Sequence, residues 1–204
     1  MVNESVNKSA SMSKPMSKAL ALLRSLGLLS FRLVVPTVFA TTLLITQAVR
    51  AELAVGDLAP EFNLRGSDGK EYRLSDFRGK QAVVLAWFPR AFTSGCTVEC
   101  KSLAENGDRI RAFDVTYFMA STDPLEKNQE FATEMNADFP LLSDEDGAVA
   151  KAYEVYRRGF AQRHTFYIDV TGKISLIDKA VKPSSSAADM VGNLERLEVA
   201  KRSS

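Results

Sequence analysis

Seven uncharged apolar residues, Ala82 to Phe88, run directly into the polar loop Pro89-Arg90-Ala91-Phe92-Thr93-Ser94-Gly95, and Cys96 follows. A short apolar run bounded by turn residues reads as a buried strand. After the loop, Cys96, Cys100, Leu103, Gly107 and Ile110 step by four, three, four and three, the spacing of one helix face. A buried strand that feeds a helix is the first step of an alternating α/β pattern. It also places Cys96 where the unpaired N–H groups and the positive end of the helix dipole converge. That environment favours a thiolate over a thiol, so a nucleophilic sulfur is the first expectation.

The rest of the chain repeats the alternation. Residues 62–64 and 70–74 bracket Gly66-Ser67-Asp68-Gly69 as a hairpin. A helix that follows Cys96 and carries Cys100 is expected over 97–112, and Val115 to Ala120 is the next strand. Asp123-Pro124 predicts a helix through Met135, with the aspartate as N-cap and the proline at the first helical position. Pro140-Leu141-Leu142 reads as a short strand, and a helix follows from about Gly147 to Tyr156. Thr165 to Val170 and Lys173 to Asp178 flank Thr171-Gly172 as a second hairpin. Ser184-Ser185-Ser186 caps a last helix with the stripe Met190, Val191, Leu194 and Leu197. Helices alternating with strands, then an antiparallel pair, predict a mixed sheet between two helix layers.

Pro89-x-x-x-Thr93-x-x-Cys96 resembles the active-site loop of the peroxiredoxins, thiol-dependent peroxidases on a thioredoxin-like fold, and Gly95-Cys96-Thr97-x-Glu99 is similar to the bacterioferritin-comigratory-protein (Q-type) branch. The resemblance runs over roughly residues 53 to 180. Val55-Gly56-Asp57-Leu58-Ala59-Pro60-Glu61-Phe62 is similar to the family's opening segment. Asp68-Gly69-Lys70 and Leu74-Ser75-Asp76-Phe77-Arg78-Gly79-Lys80 match the family's next hairpin and short helix. Arg163-His164-Thr165-Phe166-Tyr167-Ile168-Asp169 is similar to the later strand that carries the active-site arginine.

The resemblance implies a peroxide substrate, a thioredoxin-like or other dithiol reductant, and no metal, haem or flavin. It makes Cys96 the peroxide-attacking cysteine and Pro89 its shield. Thr93 becomes a hydroxyl partner of sulfur and peroxide, and Arg163 the cation that stabilises both, with Arg90, Arg157 and Arg158 as rivals. The Q-type branch places its helical resolving cysteine five residues after the first. Here Lys101 holds that position and Cys100 comes at four. Two roles stand for Cys100: the resolving partner, as the only other cysteine, or a core residue. An intact helix holds Cβ atoms at i and i+4 about 5–6 Å apart, whereas a disulfide needs about 3.5–4.5 Å. Resolution would therefore require the first turn to loosen. Glu99 reads as a first-turn acid favoured by the helix dipole, and His164, the single histidine, as a strand residue without a catalytic part.

A different class of function is an alternative. Sco-type copper-delivery proteins share a thioredoxin-like fold, a Cys-x-x-x-Cys and a distant histidine, so Cys96, Cys100 and His164 would be the ligands. That reading leaves Thr93 and Arg163 unexplained. A thiol–disulfide reductase would need Cys-x-x-Cys directly after Trp87, and a Cys–His hydrolase would need an orienting partner for His164.

The N-terminal segment is of another kind. Lys8, Lys14, Lys18, Arg24 and Arg32 stand against Glu4, then Leu33 to Val49 is a seventeen-residue stretch without a charge, and Val49-Arg50-Ala51 offers small residues at the positions a signal peptidase reads. We expect residues 1–51 to be a secretory signal peptide, with a membrane anchor and an organellar presequence as alternatives. Residues 52–204 would form the thioredoxin-like domain. The first two readings export that domain, to the periplasm or to the outer side of a membrane, touching the bilayer only through the anchor. Residues 52–204 hold 20 Lys and Arg against 24 Asp and Glu, a net of −4, which gives no electrostatic reason to expect nucleic acid.

Overall fold

The computed structural model describes residues 52–202; the signal or anchor expected over residues 1–51 lies outside the described residues. The first hairpin pairs β1 (Asn63–Gly66) with β2 (Glu71–Arg73), and β3 (Ala82–Trp87) is the apolar run. Then come α1 (Ser94–Glu105), α2 (Gly107–Arg111), β4 (Val115–Ser121) and α3 (Leu125–Glu134). They are followed by β5 (Leu141–Ser143), α4 (Ala148–Ala152) and a hairpin of β6 (Tyr156–Arg157) and β7 (Phe160–Ala161). Finally β8 (Thr165–Ile168), β9 (Ile174–Asp178) and α5 (Ser186–Arg196) close the chain.

The main sheet has the order β2-β1-β5-β4-β3-β8-β9. Its centre, β5-β4-β3, is parallel, and the pairs on either side are antiparallel. This is the expected mixed sheet. Because side chains alternate along a strand, β3 feeds two cores. Val84, Ala86 and Phe88 pack with Cys96, Cys100, Leu103, Ile110, Phe131 and the Met190, Val191, Leu194 stripe of α5. Val83, Leu85 and Trp87 pack on the opposite face with Phe62, Phe118, Ala150, Tyr153 and Phe166. Each fully buried Val, Leu, Ile, Phe or Met among them contributes roughly 1.5–3 kcal/mol relative to exposure. The strands, helices and faces set Cys96 at the carboxyl edge of β3, over the first core.

The structure corrects several expectations. The cysteine helix starts at Ser94 rather than 97 and breaks at Asn106. There the Asn106 amide donates to the Ser102 carbonyl at 2.8 Å, a side-chain bond that competes with the helix ladder. Gly107 then packs where an added Cβ would stand 2.8 Å from the Tyr117 hydroxyl. Asp123 does not cap α3: Pro124 holds that position, and the Leu125 N–H donates to Glu145 Oε1 at 3.1 Å instead. The helix expected from Gly147 to Tyr156 ends at Ala152, since Tyr156 enters the β6–β7 hairpin. The serines before α5 form a 3-10 turn, Pro183–Ser185, and the Ser185 hydroxyl donates to the Asp189 side chain rather than capping backbone.

Candidate active site

Thr93 occupies the N-cap of α1, so Cys96 falls in the first helical turn. The first ladder bond is from the Thr97 N–H to the Thr93 carbonyl at 2.9 Å. The N–H groups of Ser94, Gly95 and Cys96 precede it and have no partner within the helix. The expected meeting of strand end, helix start and sulfur is therefore present. Cys96 is fully buried, which keeps bulk water from the sulfur and strengthens every charge interaction there.

Arg163 supplies the charge. Its Nη2 donates to Cys96 Sγ at 3.2 Å, and its Nη1 is bonded to the Glu99 carboxylate. Arg163 is not within a strand, as expected from the sequence, but two residues before β8. The Trp87 N–H fixes that approach by donating to the His164 carbonyl at 2.8 Å, which ties the loop to the end of β3. Gly95 leaves room for the guanidinium: a Cβ there would stand 3.1 Å from Arg163 Nη2. The rivals point elsewhere. Arg90 lies over the Phe160 ring, Arg157 donates to Gln162, and Arg158 is exposed at the tip of the β6–β7 hairpin.

Glu99 is the residue that sequence reasoning undervalued. It is 1% exposed and shares Arg163 with the sulfur. A signal was present, because position i+3 from Cys96 lies on the same helix face; what the sequence lacked was any sign of its burial. Pro89 is partly buried where the chain leaves β3. Thr93 is exposed, and its hydroxyl donates to the Arg90 carbonyl at 2.9 Å. Its proton is thus engaged with the loop, while its oxygen lone pairs remain able to accept a hydrogen bond from a hydroperoxide O–H.

Cys100 shares the buried face of α1 with Cys96, and both are free thiols. Burial, and then the neighbouring Cys96 charge, push the Cys100 thiol up to about 12. As it stands, Cys100 is a protonated core thiol.

His164 does not join the cysteines. It lines a separate cavity with Glu52, Glu154, Gln162 and Lys179. Burial and repulsion by Lys179 hold it below the usual imidazole range, against an opposing pull from Asp178. Among the described residues no three His, Cys, Asp or Glu side chains gather as a metal set, so the Cys96, Cys100, His164 copper centre is not assembled.

The arrangement brings a guanidinium and the unpaired N–H groups of a helix start to one buried sulfur, donors suited to negative charge developing there. Comparison with known proteins agrees with that chemistry. Residues 55–177 match the AhpC/TSA family. The chain is 37% identical over 141 residues to peroxiredoxin Bcp of Escherichia coli K12, covering 65% of this chain and 90% of that one. Among solved structures, peroxidoxin BcpB of Mycobacterium tuberculosis superposes with a TM-score of 0.65 at 30% identity, covering 71% of this chain and 97% of that one. The bacterioferritin comigratory protein of Xanthomonas campestris, studied for its alkyl peroxide reduction, shares the fold with a TM-score of 0.64 at 22% identity, covering 71% of this chain and 96% of that one.

Proposed function

The chain belongs to the AhpC/TSA family, and on that premise we propose that it is a thiol-dependent peroxidase reducing hydrogen peroxide and organic hydroperoxides through a sulfenic acid on Cys96. The observation that carries the reading is the Arg163 guanidinium 3.2 Å from the Cys96 sulfur in the first turn of α1. The Cys96 thiolate attacks one peroxide oxygen, an S–O bond forms, and the O–O bond breaks. The departing oxygen takes a proton and leaves as water or an alcohol, and Cys96 becomes the sulfenic acid. Arg163 is placed to stabilise the sulfur before attack and the shared charge during it. Thr93 accepts from the peroxide O–H and orients it, and Pro89 closes the strand end beside the sulfur.

Resolution is assigned to Cys100. Its sulfur condenses with the sulfenic acid, releasing water and forming an intramolecular disulfide, and an external dithiol of thioredoxin-like chemistry reduces that bond by exchange. The domain acts outside the cytoplasm, a reading supported by the basic segment and uncharged run before residue 52.

The mass of the protein after one equivalent of peroxide tests the catalytic assignment. Parent protein should consume peroxide and show a Cys96 oxidation product, whereas Cys96→Ser should fold and consume none. Near-normal peroxide turnover by Cys96→Ser would overturn the assignment.

A further inference from the structure

The groups that would orient the peroxide sit on residues 88–93, which form no helix or strand. What fixes this loop comes from the neighbouring strand and helix. The Phe88 N–H donates to the Ala120 carbonyl of β4 at 2.9 Å, and from there the chain leaves the sheet. Phe92 adopts φ +65°, a left-handed conformation unusual for a bulky residue. Such a conformation is strained and persists only where its surroundings over-determine it. Two contacts do so here. The Phe92 ring meets Phe131 of α3 edge-on at 5.1 Å, and the preceding Ala91 N–H donates to Asp123 Oδ2 at 2.8 Å.

Asp123 is itself held firmly. It is 7% exposed; its Oδ2 also accepts from the Ser121 hydroxyl at 3.1 Å, and its Oδ1 from Lys127 Nζ at 2.7 Å. Ser121 bonds in turn with Asn128, which donates to Ser143 Oγ at 2.8 Å and to the Leu142 carbonyl at 3.3 Å. The ends of β4 and β5 and the start of α3 are thus locked together, and Asp123 extends that lock to the loop. The residue stands just ahead of α3, where an aspartate ordinarily caps the helix. Its carboxylate is turned to Ala91 instead, and Glu145 meets the helix N–H.

We propose that Asp123 is a positioning residue of the peroxidase site, setting through the Ala91 N–H the turn that aims Thr93 and the first N–H groups of α1 at a peroxide beside Cys96. Ala91 lies between Arg90 and Thr93, whose own bond closes the same turn, so a shift at Ala91 moves the Thr93 oxygen. Misplacement of an orienting group by about 1 Å can cost on the order of a hundredfold in rate. The inference rests on the assignment of Cys96 as the attacking sulfur.

Single-turnover kinetics separate positioning from mere support. Sulfenate formation is followed through the fluorescence of Trp87, the chain's one tryptophan, and the sulfenate formed per chain is counted by mass, directly or as the Cys96–Cys100 disulfide into which it condenses. Asp123→Ala should slow the second-order step about tenfold or more while still forming one sulfenate per chain. Asp123→Asn, whose amide oxygen can accept the same N–H, should recover most of that loss. If Asp123→Ala does not fold, Asp123→Glu carries the test: the extra methylene displaces the acceptor, and the rate should fall severalfold at full amplitude. An unchanged rate constant in the folded variant, or a loss confined to the amplitude, overturns the positioning role. A parent protein that forms no sulfenate on Cys96 removes the premise as well, and that result is distinct from a working parent with indifferent Asp123 variants.

Discussion

Arg163 faces two partners of different kinds, the Cys96 sulfur and the buried Glu99 carboxylate, and substitution can separate what each contact does. Removing Arg163 takes a preorganised cation from the reacting centre, which typically costs about a hundred- to thousandfold in rate. It also leaves Glu99 buried without its partner, a situation that costs about 3–5 kcal/mol of stability. Arg163→Ala should therefore lose both peroxide turnover and stability. Adding Glu99→Gln should return much of the stability, since no uncompensated charge remains, and leave the rate low. Urea unfolding and peroxide kinetics on both variants check this; recovery of the rate along with stability would mean that Arg163 acts only as a structural counter-ion. The pair also marks what could be read at this scale. The position of Cys96 at a helix start was legible because that chemistry is local, whereas Thr93 and Pro89 were singled out only through the family resemblance. Glu99 was not legible, because a first-turn acid already has a sufficient reason in the dipole. Its ion pair depends on a residue 64 positions away.

At the scale of the element, α1 combines two demands that oppose each other. As a helix it holds Cys100 against the core, with a thiol pushed up to about 12. The attacking species in disulfide formation is the thiolate, and a raised value means the neutral thiol persists to high pH. At pH 7 only on the order of one part in 10⁵ of such a thiol is ionised. Fraying from the Ser94 end returns Cys100 toward water and an ordinary thiol, and helix ends open most easily. The rate of intramolecular disulfide formation should therefore rise with pH and level off near the ordinary thiol range, about 9, rather than climbing toward 12. Stopped-flow measurement from about pH 6 to 11 distinguishes the two. A rise continuing past the ordinary range would place attack within the intact helix. A persistent sulfenate at every pH would make Cys100 a core residue only. The face of α1 was legible from its 3.6-residue spacing, whereas its break at Asn106 was not, because the bond from the Asn106 amide to the Ser102 carbonyl is a single side-chain contact with no periodic signature. The β6–β7 hairpin escaped for a similar reason: two-residue strands carry no period, and this pair is held from just beyond β4 by Thr122, whose hydroxyl donates to the Gly159 carbonyl.

At the scale of the whole molecule, the apolar run of β3 announced the buried centre of the sheet, and the antiparallel flanks followed from hairpin signals at Gly66–Gly69 and Thr171-Gly172. Sequence spacing alone could not say that Asp123 would leave its helix for the active-site loop. The family match begins at residue 55, so the basic segment and the uncharged run from Leu33 to Val49 lie before the catalytic domain. Five cations precede that run, which favours retention of the N-terminus inside and passage of the domain to the other side. Seventeen uncharged residues are near the lower limit for a spanning helix, and Val49-Arg50-Ala51 fits a peptidase site. Outside the cytoplasm, the Cys96–Cys100 disulfide would persist unless a dithiol partner reached it, so export and the need for an external reductant belong together. Fractionation of the native host, with the mass of the recovered chain, should find the domain exported and starting near residue 52. Full-length chain recovered free in the cytoplasm would overturn export. Full-length chain in the membrane fraction, with its domain open to external protease, would retain export but make the leader an anchor.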